Sequence, residues 1–335
     1  MTAGALLAAL QPVNVSATFS GLNGTIALTR KGREASVWAV NPDTHTRTLI
    51  AGRAQDPAWS PNGRKLVFVN SHSHRLQIAK ADGSQRQNLT DHSSQSESSP
   101  VWSADGSHIA FFRTITVRHE KLSAIFSIAA DKKEGATNVS DWGEYRAPSW
   151  SPDGKSIAYI QQDSSAPRLV VRNLMTRENK VVTTLSEITE TTAVVWSPNG
   201  KKILYNDSAN EVYTIWPDGS HRAVISDGDS YAASWSPEGD RIAFLEDFDG
   251  EDISISDRNG TITTLPIQRG DYRAITAPIW SPDGTKLIFT MNRSTSPPTQ
   301  SDLVILDTTN NRIHIEKLPH GFISNIAWQS LPKTH

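Results

Sequence analysis

One phrase recurs along this chain: a tryptophan, then Ser-Pro-Asp-Gly or a near copy, then an apolar run. It stands as Trp59-Ser-Pro-Asn-Gly, Trp102-Ser-Ala-Asp-Gly, Trp150-Ser-Pro-Asp-Gly, Trp196-Ser-Pro-Asn-Gly, Trp235-Ser-Pro-Glu-Gly and Trp280-Ser-Pro-Asp-Gly. A frayed seventh copy is Ala327-Trp328-Gln329-Ser330. The steps from Trp59 to Trp328 are 43, 48, 46, 39, 45 and 48 residues. A repeat of that length built from short strands predicts a β-propeller, because one small twisted sheet cannot bury both of its faces alone.

The copy at Trp150 shows how one unit is built. Ala147-Pro148-Ser149-Trp150 reads as the first strand. In Ser151-Pro152-Asp153-Gly154 the proline presets φ, the aspartate tolerates the bridge region and the glycine accepts a positive φ, so the four make a tight turn. Ser156-Ile157-Ala158-Tyr159-Ile160, Arg168-Leu169-Val170-Val171-Arg172 and Lys180-Val181-Val182-Thr183-Thr184-Leu185 supply three further strands. Second strands such as Leu66-Val67-Phe68-Val69 and Ile242-Ala243-Phe244-Leu245 are apolar at every position. A strand wet on one face would alternate, so these are expected to be covered on both, as when blades stack face to face.

Six copies carry all four strands. Ahead of them lie Thr25-Ile26-Ala27-Leu28-Thr29, Ser36-Val37-Trp38-Ala39-Val40 and Thr46-Arg47-Thr48-Leu49-Ile50, which match strands two, three and four. After them comes Ser324-Asn325-Ile326-Ala327-Trp328, which matches strand one alone. Pairing the two ends completes a seventh blade and removes two sheet edges that would otherwise invite aggregation. The alternative is an open solenoid of the same repeats. The expected fold is all-β: a closed seven-bladed propeller over residues 22–331, four antiparallel strands per blade. Residues 1–21 are then an N-terminal tail or signal-peptide remnant, and 332–335 a C-terminal tail.

Thirty-three Lys and Arg against 35 Asp and Glu leave none of the basic footprint of a nucleic-acid binder, so no nucleic-acid partner is expected. Cysteine is absent, which excludes disulfide and thiolate chemistry. No apolar run reaches the ~20 residues that span a bilayer. Residues 3–10 form a short apolar block and Val15-Ser16-Ala17 has the form of a signal-peptidase site, although the first basic residue is Arg30. A secretory signal remnant, and with it a periplasmic or secreted protein, is one reading; a loose tail is the other.

The Trp-Ser-Pro-Asp-Gly-x-x-Ile-x-Phe phrase resembles the WD-like repeat of the TolB-like β-propellers. The same repeat occurs in the propeller domains of prolyl-oligopeptidase-type peptidases. The resemblance covers about nine-tenths of the chain, with Ser103-Ala104-Asp105-Gly106 lacking the proline and the last copy lacking the Asp-Gly turn. TolB proteins have six blades and an added α/β domain, and the peptidases carry a hydrolase domain. This chain is expected to have neither, so neither role transfers directly.

Strand direction puts the Ser-Pro-Asp-Gly turns and the turns after third strands on one face. The longer, varied loops after second and fourth strands lie on the other, where binding residues usually sit. Asp141-Trp142-Gly143-Glu144-Tyr145-Arg146, Asp229-Ser230-Tyr231, Arg269-Gly270-Asp271-Tyr272-Arg273 and His320-Gly321-Phe322 each lead into an innermost strand at the mouth of the channel. Aromatic and arginine side chains dominate recognition hot spots. Trp142, Tyr145, Arg146, Tyr231, Tyr272 and Arg273 are therefore the candidate contacts for a protein or peptide partner. Alternatively they pack against neighbouring loops and plug the channel.

His72, His74, His92 and His119 fall on that same face in adjacent blades, where imidazoles can hold a transition metal. Seven-bladed propellers similar to this one include metal-dependent oligogalacturonate lyases, whose site uses histidines. Four loop histidines among ten is the plainer reading. Asp247-Phe248-Asp249-Gly250-Glu251-Asp252 lacks the frame of an EF-hand and sits where a hairpin turn is required. No Gly-x-Ser-x-Gly, His-Glu-x-x-His, phosphate loop or dinucleotide fingerprint occurs, so no cofactor is expected. The function expected is that of a monomeric, non-enzymatic binding protein or scaffold. The competing class is a secreted hydrolase or metal-dependent lyase acting on carbohydrate or peptide.

Overall fold

The computed structural model describes residues 18–91, 95–132, 134–162, 165–186, 192–207, 211–226, 230–246, 252–265, 267, 272–293, 300–318 and 321–333, with backbone alone for 272–275 and 293. Seven antiparallel sheets make up the chain. Blade 1 runs outward from Phe322–Leu331 through Leu22–Lys31 and Ser36–Val40 to Arg47–Gly52. Blade 2 is Ala54–Trp59, Lys65–Asn70, Leu76–Lys80 and Gln87–Asn88; blade 3 is Ser96–Trp102, His108–Val117, Glu120–Ala129 and Thr137–Asn138. Blades 4, 5 and 6 begin with Glu144–Trp150, Val194–Trp196 and Ser230–Trp235. In blade 7 the innermost strand is interrupted into Tyr272–Ile275 and Ile279–Trp280, which both pair with Lys286–Arg293. Ser301–Asp307 and Arg312–Glu316 complete it.

The ends close the ring as the repeat count predicts. Ile26 lies opposite Trp328, Ala27 opposite Ala327 and Leu28 opposite Ile326. Second strands fill the spaces between blades: Phe68, Phe111, Tyr159, Phe244 and Phe289 are all fully buried.

The recurring tryptophan has a structural reason that the spacing alone does not disclose. Four of the indoles bond the innermost strand of the preceding blade, whereas Trp328 bonds Gly24 of its own blade and Trp59 and Trp196 Nε1 have no hydrogen-bond partner among the described residues. Trp102 Nε1 donates to the Ala58 carbonyl at 3.0 Å, Trp150 to Val101 at 3.2 Å, Trp235 to Val195 at 3.2 Å and Trp280 to Ser234 at 3.3 Å. A large apolar ring with one donor suits this place, because it fills the wedge and satisfies its buried N–H.

The residue three places before the tryptophan is also shared. Asp56, Ser99, Ala147, Ala232 and Asn325 have φ of 53, 55, 49, 56 and 48°. Each marks a register shift in its innermost strand. A bulge of this kind leaves one residue unpaired and re-aims its side chain.

Ordered contacts begin upstream of the first strand. Thr18 Oγ1 donates to the Trp280 carbonyl at 3.1 Å, Ser20 Oγ to Glu238 Oε1 at 3.0 Å and the Gly21 N–H to the Pro282 carbonyl at 3.0 Å. Phe19, half-buried, packs against the cluster containing Ala58 and Trp102 and enters the channel from the turn face. A Cβ on Gly21 would lie 2.2 Å from Ser330 Oγ, so the segment passes where only glycine fits.

Candidate functional site

The turn face is spent on its own structure. Asp153 Oδ1 accepts from the Ser151 hydroxyl at 2.6 Å and the Lys155 N–H at 3.0 Å, and Gly154 holds a φ of 67°. Those bonds, the serine hydroxyl first, hold the Asp153 carboxyl below its usual range. The same arrangement recurs at Asp283, with Ser281 and Thr285 as donors. These carboxylates stabilise turns.

On the varied face a cleft of about 880 Å³ opens across blades 2, 3 and 4. The turn 71–75 of blade 2 contributes His72, Ser73, His74 and Arg75. Asn70 Oδ1 shapes that turn by accepting the N–H groups of His72 at 3.0 Å and Ser73 at 2.8 Å. The long hairpin of blade 3 contributes Thr114, Thr116, Lys121 and Ser123. Gln95 and Ser96 lead into its innermost strand, and Gly143, Glu144, Tyr145 and Arg146 complete the lining from blade 4. Gly143 and Ser123 exchange two backbone hydrogen bonds of 2.8 Å, which fastens the blade 4 entry loop to the hairpin.

Three cationic side chains, Arg75, Lys121 and Arg146, line the cleft against one carboxylate, Glu144. Glu144 lies 3.8 Å from Arg146 Nη2. Arg75 Nε, Gln95 Oε1 and Arg146 Nε are buried and have no hydrogen-bond partner among the described residues. Buried polar groups in folded proteins are almost always paired. Three such unpaired atoms belong to residues that line this one cleft.

Beneath the cleft lies a buried ion pair. Arg113 Nη2 donates to Glu97 Oε1 at 2.7 Å, with side chains 4% and 1% exposed. The Arg113 guanidinium sits 4.3 Å from the Phe126 ring centre, and Trp142 covers Phe126 at 5.9 Å.

The sequence-derived candidates divide on this geometry. His72, His74, Tyr145 and Arg146 come together in the cleft, and exposed Trp142 flanks it. Tyr145 is 8% exposed and sets its ring edge-on to Tyr159 at 5.5 Å. Burial first, with Asp141 adding to it against Ser140 and Arg172, raises its phenol. Tyr231 lies on blade 6, half-buried against the core. The backbone of Tyr272 and Arg273 pairs with Arg293 and Asn292 on blade 7. The side chains of Tyr272 and Arg273 lie outside the described residues, as do His92, His320, residues 247–251 and residues 269–271. His119 is exposed at the tip of the blade 3 hairpin, with a φ of 72°. Among the described residues His72, His74 and His119 form no group of three ligating atoms. Arg75, Gln95 and Lys121 carry no motif; only their place in the loops after strands two and four marked them in the sequence.

Inside the channel, the bulge residue Asp56 accepts from Asn325 Nδ2 at 2.9 Å and from the Ser99 N–H at 3.4 Å. Burial, the largest influence, raises its carboxyl above 3.8, against the pull of the Ser99 N–H and Lys31. A folded-state value above the unfolded one means that the ionised form costs stability at neutral pH. That cost disappears as pH falls through the folded-state value. Asp56→Asn is expected to raise the melting temperature at neutral pH, with the gain shrinking in acid. Melting curves across pH check it, and a gain that grows in acid would contradict the assignment.

The family description "TolB beta propeller domain" matches residues 6–226 and 145–252. This chain belongs to the TolB β-propeller family. Dipeptidyl-peptidase 5 of Porphyromonas gingivalis is 29% identical over 133 residues, which is 36% of this chain and 19% of that protein. The chain thus spans about a fifth of that peptidase's length. TolB from Acinetobacter baumannii superposes with a TM-score of 0.59 at 19% identity, covering 92% of this chain and 82% of that one. An oligogalacturonate lyase from Vibrio parahaemolyticus superposes with a TM-score of 0.60 at 14% identity, covering 88% and 86%. At these identities the structures share the fold alone, and a fold does not by itself fix an activity. No helix among the described residues is long and apolar enough to cross a membrane.

Proposed function

We propose that this TolB-family propeller is a binding protein that recognises an acidic segment of a partner protein or peptide through the cleft of blades 2 to 4. The observation that carries this reading is the convergence of unpaired Arg75 Nε, Gln95 Oε1 and Arg146 Nε in one concavity. Guanidinium groups pair carboxylates with good geometry, and the excess of cations in the cleft steers an acidic partner toward it. Trp142 at the edge offers an exposed aromatic anchor over Phe126. The apolar block at residues 3–10 and the Val15-Ser16-Ala17 site support an exported, periplasmic or secreted setting for that partner.

Fluorescence anisotropy with a labelled Asp/Glu-rich peptide tests the reading. Saturable binding that weakens with salt is expected, reduced at least about tenfold by Arg75→Ala with Arg146→Ala, since hydrogen bonds to charged groups are each worth ~1.5–3 kcal/mol. Equal binding of a Lys-rich peptide, or no effect of the double substitution, would sink it. Turnover of an acidic oligosaccharide or a peptide by the full chain would replace it with the lyase or hydrolase reading.

A further inference from the structure

The outer wall carries a second group of ligating side chains, outside the repeat phrase. Glu316 ends the outermost strand of blade 7 and its side chain is 5% exposed. His314 precedes it on that strand, and His45 lies in the turn before the outermost strand of blade 1. Glu316 Oε1 is held by Arg47, whose Nε donates at 2.9 Å and whose Nη2 donates as well. Arg47 Nη2 is itself fixed by the Lys317 carbonyl at 2.8 Å. Glu316 Oε2 is left facing two imidazoles, His45 Nδ1 at 3.1 Å and His314 Nε2 at 3.4 Å. The two rings stack with centroids 4.3 Å apart and planes 30° apart. All three ligating atoms fall within 4.8 Å of one another.

Two of these distances match the edge of a coordination polyhedron. For bonds near 2.1 Å, neighbouring ligands of a tetrahedral zinc lie about 3.4 Å apart. Both histidine-to-carboxylate separations already stand close to that edge. Two imidazole nitrogens and a carboxylate oxygen are the donor set of zinc, nickel and copper. Arg47 holds the carboxylate in place from its far oxygen, as outer partners of metal ligands do. The His45 turn is set by Asn41, which accepts the His45 N–H on its carbonyl at 3.0 Å and the Asp43 and Thr44 N–H groups on Oδ1 at 2.9 Å. The imidazoles are 46% and 49% exposed, so an ion has an entry path and room for a solvent ligand.

We propose that His45, His314 and Glu316 bind a divalent ion of the zinc class across the seam where blades 7 and 1 meet. Bound there, the ion joins the outermost strands of the two blades that close the ring, and so adds to the closure made by the innermost strand. The positive charge of Arg47 beside the site keeps the affinity moderate.

Isothermal titration of Zn²⁺ into the full chain, carrying no histidine tag, tests the site. One equivalent is expected to bind with a dissociation constant of order micromolar. His45→Ala and His314→Ala are each expected to weaken it at least tenfold; both positions are half-exposed, so folding is retained. Zn²⁺ at a hundredfold excess over that constant should raise the melting temperature by about 4 °C, and His314→Ala should cut the rise to about half or less. With Cu²⁺ as probe, electron paramagnetic resonance should show coupling to two nitrogens in the parent and one in either variant. Absence of saturable binding overturns the proposal, as does binding that survives both substitutions. Loss of binding in His74→Ala with retention in His314→Ala would place the ion in the cleft and overturn it equally.

Discussion

Truncating Glu97 to alanine should cost about 3–5 kcal/mol of stability, the penalty for leaving a buried charge without its partner. Arg113 would keep its guanidinium 4% exposed with nothing to neutralise it. The loss extends beyond one pair. Glu97 Oε2 also accepts the Leu76 N–H at 3.0 Å and the Thr90 hydroxyl, both from blade 2, so this carboxylate ties blade 3 to its neighbour. Arg113 in turn lies under Phe126 and Trp142, at the base of the cleft. Equilibrium unfolding in urea reads the effect. Replacing both partners with apolar residues, as Glu97→Leu with Arg113→Met, should recover most of the stability, because the desolvation cost goes with the charges. A Glu97→Ala change within about 1 kcal/mol of the parent, the range of an exposed pair, would contradict this account.

Removing the C-terminal strand should have a larger effect still. A chain ending before Phe322 loses the partner of Leu22–Lys31 and opens the inner wall between blades 7 and 2. It is expected to accumulate as aggregate, with a bared strand edge and uncovered apolar faces. The graded version is Trp328→Ala. Trp328 is 6% exposed and its Nε1 donates to the Gly24 carbonyl at 3.2 Å, so the cost should be about 3–5 kcal/mol. Soluble yield and thermal melts check both. A soluble truncated chain with an unchanged melt would show that the ring does not depend on this closure.

The architecture was legible because its causes are local and repeated. The Ser-Pro-Asp-Gly turn or a near copy writes itself into six of the seven blades, and the strand buried on both faces recurs beside it. Blade 1, split between the two ends of the chain, was readable because Ile26 and Trp328 belong to strand types that the complete copies define. The bulges were hidden, since Asp56, Ser99, Ala147, Ala232 and Asn325 share a backbone state and no chemical type. Phe19 was hidden too, because a docked segment outside the repeat has no period to reveal it. The sites were the least legible. His72 and His74 could be placed on the correct face from strand direction, but Arg75 and Gln95 become notable only once they are found buried and unpaired. Arg47 and Glu316 lie 269 residues apart and meet only because the ring closes.

The claim that the varied face is the recognition surface can be tested by placing a photo-cross-linking residue at Ser73, in the cleft, or at Lys201, on the turn face, and irradiating cells that naturally make the protein. A discrete adduct from Ser73, lost when Arg75 and Arg146 are both replaced by alanine and not seen from Lys201, is the predicted result. An adduct from Lys201 alone, or one from Ser73 that persists without the two arginines, would contradict it.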